Sequence, residues 1–211
     1  ILIVLTNGFT MAWAETAVKV VQQPDHKVYY QKIICLSMDG YFLVVSGIVT
    51  VLPFIFNRFI NEAYKSAYYH IPIIVYAAFW YTLSAVTGYI LLAHKKSGKM
   101  GIGTLLVAVI NLAVHFSLIG RIGLFAASVS TLVSYIGLFI FRYIFMYQCE
   151  DIPFPWIRTV VQLCVYLILC GCYYREEVIY QFAGMVIYLI SVMALIKLHC
   201  IELKGLWGGI R

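Results

Sequence analysis

Long apolar runs separated by short charged stretches organise this sequence. A membrane-spanning helix needs roughly 20 mostly apolar residues. Seven segments approach that length, at about residues 1–18, 33–57, 69–93, 101–119, 122–146, 155–173 and 178–196. The third and fourth are the clearest, since neither 66–93 nor 100–120 contains a single Asp, Glu, Lys or Arg. The first carries Asn7, Thr10 and Glu15, and the sixth has only a short uncharged run over 159–174. Pro72 falls where a first helical turn tolerates a missing N–H, and Pro153 and Pro155 bracket the start of the sixth segment. Gly120 and Gly123 flank a turn so short that the fourth and fifth helices are expected to be hairpin neighbours. Trp156 and Trp207 sit near the expected membrane interfaces.

Composition agrees with this pattern and narrows it. Hydrophobic residues make up 63% of the 211 and charged residues 11%, with a mean hydropathy of +0.91. A soluble domain of this size needs more charge to cover its surface. In a bilayer every backbone polar group must be satisfied internally, which leaves helices or closed barrels. Barrel strands would alternate in polarity over roughly 10 residues, and these runs do not alternate. The expected fold is all-α: a polytopic transmembrane bundle of about seven helices. The chain opens at Ile1, inside an apolar run with no Met and no charged region before it. A signal peptide is therefore not expected, and an upstream part is. The six cysteines lack zinc-type spacing and read as small apolar packing residues.

Charge then sets orientation. Seven alternating spans divide the loops into two sets. One set holds Lys19, Lys27, Lys32, Lys95, Lys96, Lys99, Arg142, Arg158, Lys197, Lys204 and Arg211; the other holds Arg58, Lys65, Arg121 and Arg175. The richer set is expected to be cytoplasmic, which places the C-terminus there and starts the first helix outside. The net charge of +6 follows from this loop asymmetry, and no nucleic-acid partner is expected.

Polar residues inside spans are costly and mark candidate functional positions. Asn7, Met11 and Glu15 share a face of the first helix, and Asp39, Ser46 and Thr50 share one of the second. Thr104, Asn111 and His115 align on the fourth. Two readings stand for each stripe. Asn111 and His115 are either interhelical hydrogen-bond partners or cavity-facing groups. Glu15 and Asp39 either sit at headgroup depth beside Lys19 or Lys32, or face a cavity where a carboxylate takes up H⁺ or Na⁺. Apart from such a coupling ion, no cofactor and no metal is expected. On the fifth helix, Ala126, Ser130 and Ser134 form a small-residue ridge that, with Gly123, suits close helix approach.

No phosphate-binding Gly-rich loop, HExxH or GxSxG occurs. The hydrophilic stretches near 19–32 and 148–158 are too short for a soluble catalytic domain, so an enzyme is not expected.

A family resemblance rests on the run from Asn111 to Thr131, with Asn111-Leu112, the turn at Gly120 to Gly123, and Ala126-Ala127 leading to Thr131. It resembles the helix-turn-helix signature of polysaccharide flippases in the multidrug/oligosaccharidyl-lipid/polysaccharide exporter superfamily. Phe9 to Trp13, Asn61 to Ala67 followed by Pro72, and Lys95 to Lys99 resemble further family motifs in the same order. The chain departs from the family pattern at Gly120, Phe125, His115 and Ala14-Glu15.

The resemblance implies the C-terminal part of a fourteen-helix, two-lobed transporter, with these helices as the eighth to fourteenth. It implies a partial lobe over 1–146, a terminal helix pair over 147–197 and a cytoplasmic tail over 198–211. The implied cargo is an undecaprenyl-pyrophosphate-linked oligosaccharide, moved across a bacterial inner membrane. The implied partners are membrane lipids and the N-terminal half of the same protein. Asn7, Glu15, Asp39, Asn111 and His115 would then face the cavity, with Arg58 and Arg142 the nearest cations for pyrophosphate. Alternatives are a multidrug cation exporter or lipid II flippase of the same superfamily and, from another class, a polytopic polymerase or acyltransferase.

Overall fold

A computed structural model describes the backbone of residues 2–59, 65–175 and 177–208, and the side chains of 6–56, 65–175 and 177–200. Among the described residues the chain is all-α. Its helices are α1 (Leu2–Val20), α2 (His26–Phe59), α3 (Lys65–Tyr68), α4 (Ile71–Ala93), α5 (Ser97–Ile122), α6 (Phe125–Glu150), α7 (Trp156–Tyr174) and α8 (Val178–Gly208). Six of these, all but α1 and α3, are long and apolar enough to cross a membrane. The seven expected segments correspond to α1, α2 and α4–α8. The motif residues Asn61, Glu62, Ala63 and Tyr64, and the side chains of Arg58, Lys204, Trp207 and Arg211, lie outside the described residues.

Charged ends were underestimated by the hydropathy pattern. α2 begins at His26 rather than near 33, through a stretch that reads as a loop. Side-chain packing holds its first turns. The Tyr30 hydroxyl donates to the Ala17 carbonyl at 2.8 Å, and the Tyr30 ring meets Trp13 edge-on at 5.8 Å. Likewise α6 runs on to Glu150 and α8 to Gly208. Arg142 is thus not in a loop. It lies eight residues inside the end of α6, about 12 Å along the axis at 1.5 Å per residue.

The chain forms two compact units. The first takes residues Ile1–Tyr41 and His70–Thr159. Here α4 is central, packing most extensively on α6 and also on α1, while α5 packs on α6. α4 is buried along most of its length. Its hydroxyls are satisfied within the membrane-type interior: Thr82 bonds the Ala78 carbonyl at 2.9 Å and Ser84 the Tyr81 carbonyl at 2.6 Å. Thr6 of α1 meets Thr82 at 3.2 Å, and the Trp13 indole N–H donates to the Val86 carbonyl at 3.0 Å. The α5–α6 hairpin is present as expected. Gly123 closes α5 with φ +56° and ψ −133°, a combination open to glycine and almost nothing else. A Cβ there would meet nothing within 4 Å, so this glycine serves the turn rather than close helix approach. Gly103 of α5 does the latter, lying under the Phe141 ring of α6.

The second unit takes Phe42–Tyr69 and Val160–Arg211. Tyr68 and Tyr173 stack at 4.2 Å and exchange bonds, each hydroxyl donating to the other's carbonyl at 3.0 and 2.9 Å. Gly47 of α2 leaves room for the Tyr188 ring of α8.

Candidate functional site

α6 carries the chemistry of the first unit along a single ridge. The small residues Ala126, Ser130 and Ser134 are all fully buried, as a close-approach ridge requires. The same four-residue step continues through Leu138, Arg142, Met146 and Glu150, and every one of these is buried too. Residues at i, i+4 form one inclined ridge of a helix. Going along α6, that ridge changes from small and apolar to cationic and then anionic.

Arg142 is 8% exposed. Its guanidinium reaches between neighbouring helices, donating from Nη1 to the Ser84 carbonyl of α4 at 3.1 Å and from Nη2 to the Thr104 hydroxyl of α5 at 3.3 Å. Nε finds no acceptor among the described residues. Gly88 makes the space: a Cβ there would stand 3.1 Å from Nη1 and 3.2 Å from Cδ. No carboxylate pairs with Arg142 among the described residues. A cation at the centre of a spanning helix costs about 3 kcal/mol even on the mildest scale. A neutral carbonyl and a hydroxyl offset only part of that. Thr104, which accepts one of the two bonds, belongs to the exposed part of α5.

The buried carboxylates are neutralised differently. Asp39, 2% exposed, forms an ion pair with Arg158 of α7. The partner is Arg158 where Lys19 or Lys32 was one expectation, and Asp39 lies inside the helix packing. Beside the pair, the Thr159 hydroxyl approaches the Met38 sulfur at 3.2 Å. Glu150, also 2% exposed, is held by two imidazoles. His26 Nε2 lies 3.0 Å from Oε2, and His94 Nε2 contacts Oε1.

The remaining expected positions lie on open helix faces. Asn7, Met11 and Glu15 are exposed together on α1, so they do share one face. Asn111 and His115 are half-buried on α5, and neither makes a hydrogen bond within the chain among the described residues. The structure therefore does not bring the five expected residues together as one cluster. Asp39 is internal and paired, Asn7 and Glu15 are open on α1, and Asn111 and His115 sit on the sparsely covered α5. The groups missed were Glu150, His26 and His94. Extending the Ala126–Ser130–Ser134 spacing four residues at a time reaches Arg142 and Glu150. No sequence signal points to the histidines, which come from the ends of two other helices.

Among the described residues no group of three His, Cys, Asp or Glu side chains is arranged to hold a metal ion. The fold and its apolar helices define a multi-pass α-helical membrane protein. Compared with protein-family models, curated proteins and solved structures, the chain matches none.

Proposed function

We propose that this chain is part of a two-lobed flippase for an anionic lipid-linked cargo, an undecaprenyl-pyrophosphate-linked oligosaccharide, in a bacterial inner membrane. The family assignment rests on the ordered motifs from Phe9 to Thr131. In this reading a second, N-terminal lobe completes the cavity, the C-terminus is cytoplasmic, and the chain moves its cargo without chemical conversion. The observation that carries the choice of cargo is the charge left over in the first unit. Asp39 pairs with Arg158 and Glu150 lies against two imidazoles, whereas Arg142 has no carboxylate partner among the described residues. A pyrophosphate supplies the missing anion through charge-assisted, bidentate hydrogen bonding, to which a guanidinium is suited.

A multidrug cation exporter is the second reading. Glu15 favours it, since it is exposed on α1 beside Asn7 and Met11 and makes no ion pair among the described residues. A cell lacking this gene discriminates the two. Under the flippase reading it loses surface polysaccharide and accumulates lipid-linked repeat units inside. The wild-type gene restores the polysaccharide, Arg142→Ala does not, and Glu15→Gln does. Intact surface polysaccharide together with sensitivity to cationic drugs, corrected by wild type and not by Glu15→Gln, establishes the exporter instead. Restored growth of a strain depleted of its lipid II flippase would assign that cargo.

A further inference from the structure

We propose that Glu150, His26 and His94 form a binding site for a single proton, and that this proton fastens the start of α2 to the ends of α4 and α6. The inference rests on hydrogen-bond geometry and is independent of what the chain transports.

The count of protons follows from the contacts. His26 Nδ1 lies 2.7 Å from the Gln23 carbonyl oxygen. A carbonyl only accepts, so Nδ1 must carry a hydrogen. The Nε2 of the same ring faces Glu150 Oε2 at 3.0 Å. With Nδ1 protonated, a neutral His26 presents a lone pair at Nε2. That lone pair would point at a carboxylate oxygen, which also only accepts. The contact needs one more proton on that line, on the imidazole or on the carboxyl. His94 Nε2 contacts Oε1 without the alignment of a hydrogen bond, so this contact fixes no second proton. The arrangement therefore stores one proton relative to neutral histidines and a carboxylate, and the three groups then sum to zero charge.

Position makes that proton consequential. Glu150 is the last residue of α6, His94 caps the end of α4, and His26 opens α2. Removing the proton sets two lone pairs against each other beside a nearly dry carboxylate. The surrounding charges are mixed. Lys96, on the α4–α5 turn, reaches Cys149 at 2.9 Å. Lys95 on that turn, Lys19 at the end of α1, and Lys27 on α2 add positive charge, whereas Asp25 and Asp151 oppose them. Tyr30 of α2 packs edge-on against His26 at 5.8 Å and lies within electrostatic reach of Glu150. The carbonyl ends of α4 and α6 also point here, and helix C-termini favour added positive charge.

Glu150→Gln gives the sharpest test. Its amide N–H₂ donates to the neutral His26 Nε2. The fastening then needs no extra proton and is weakened by acid instead. The 211-residue chain is placed in lipid nanodiscs with ¹⁵N-labelled histidine, and ring-nitrogen shifts are followed from pH 5 to 9. One histidine, absent in His26→Gln, should carry a hydrogen on Nδ1 at both ends of that range. Hydrogen-exchange protection of residues 26–32, corrected for intrinsic rates, should fall at least tenfold at high pH in wild type. In Glu150→Gln it should fall at low pH, with protection in α4 unchanged as the check on folding. Overturning results are a His26 that carries its hydrogen on Nε2 alone at high pH, or protection that changes with pH in the same direction in both proteins.

Discussion

Arg142 and Arg158 both lie in apolar helices of the same unit, and both reach across to other helices. Arg158 meets the Asp39 carboxylate of α2. Among the described residues Arg142 donates to a carbonyl and a hydroxyl and meets no carboxylate. The first arrangement is closed, with each charge answering the other, so it ties α7 to α2 and offers nothing to a ligand. The second leaves a desolvated cation whose full compensation must come from outside these helices. Burial alone does not separate a fastening charge from a receptive one; the partner does.

The largest effect should come from opening the closed pair. Asp39→Leu strands Arg158, and a buried pair broken on one side loses about 3 kcal/mol or more. Equilibrium unfolding in mixed micelles should show that loss, and Asp39→Leu with Arg158→Met should recover most of it. Arg142→Met should behave oppositely. Removing an uncompensated cation leaves stability unchanged or raised by about 1 kcal/mol, while surface polysaccharide is lost. A destabilisation as large as that of Asp39→Leu would erase the distinction. Next in size is Gly88→Ala. Its new Cβ would crowd the guanidinium at 3.1 Å, with an expected loss of about 1 kcal/mol. The same change in the Arg142→Met background should cost less, since the guanidinium contact is gone and the Met100 Cε contact at 3.2 Å remains, so the double-mutant cycle isolates the guanidinium part. Smallest is Thr104→Val, which removes the 3.3 Å bond from Arg142 and the exposed 3.0 Å bond to the Met100 carbonyl and should lower stability by about 0.5 kcal/mol.

Much of the helix inventory was legible because period and length are local properties. The uncharged run over 66–93 marks α4, and the glycine at 123 marks the hairpin turn. What hydropathy missed was the charged first turns of α2, which are held by Tyr30 on Ala17 and Trp13 rather than by apolar content. The candidate site was less legible, for a related reason. Asn7, Met11 and Glu15 do share a face, since that follows from helical spacing alone. Spacing does not reveal which helix covers that face. Asp39 is buried because Arg158, 119 residues away in sequence, answers it. Glu150 is buried because two histidines from other helix ends do the same. Arg142 was counted with the loop cations although the expected segment 122–146 already spans it, and the helix continues for two further turns beyond it.

Whether Arg142 receives an anionic lipid headgroup separates a receptive cation from a structural one. Thermal unfolding of the 211-residue chain in a neutral detergent, with undecaprenyl pyrophosphate or undecaprenol added at equal concentration, tests this most directly. The pyrophosphate should raise the midpoint of wild type and of the exposed-cation control Arg121→Met, undecaprenol should not, and Arg142→Met should lose the difference. Equal stabilisation by the two lipids, or a pyrophosphate effect that survives in Arg142→Met, would contradict the account.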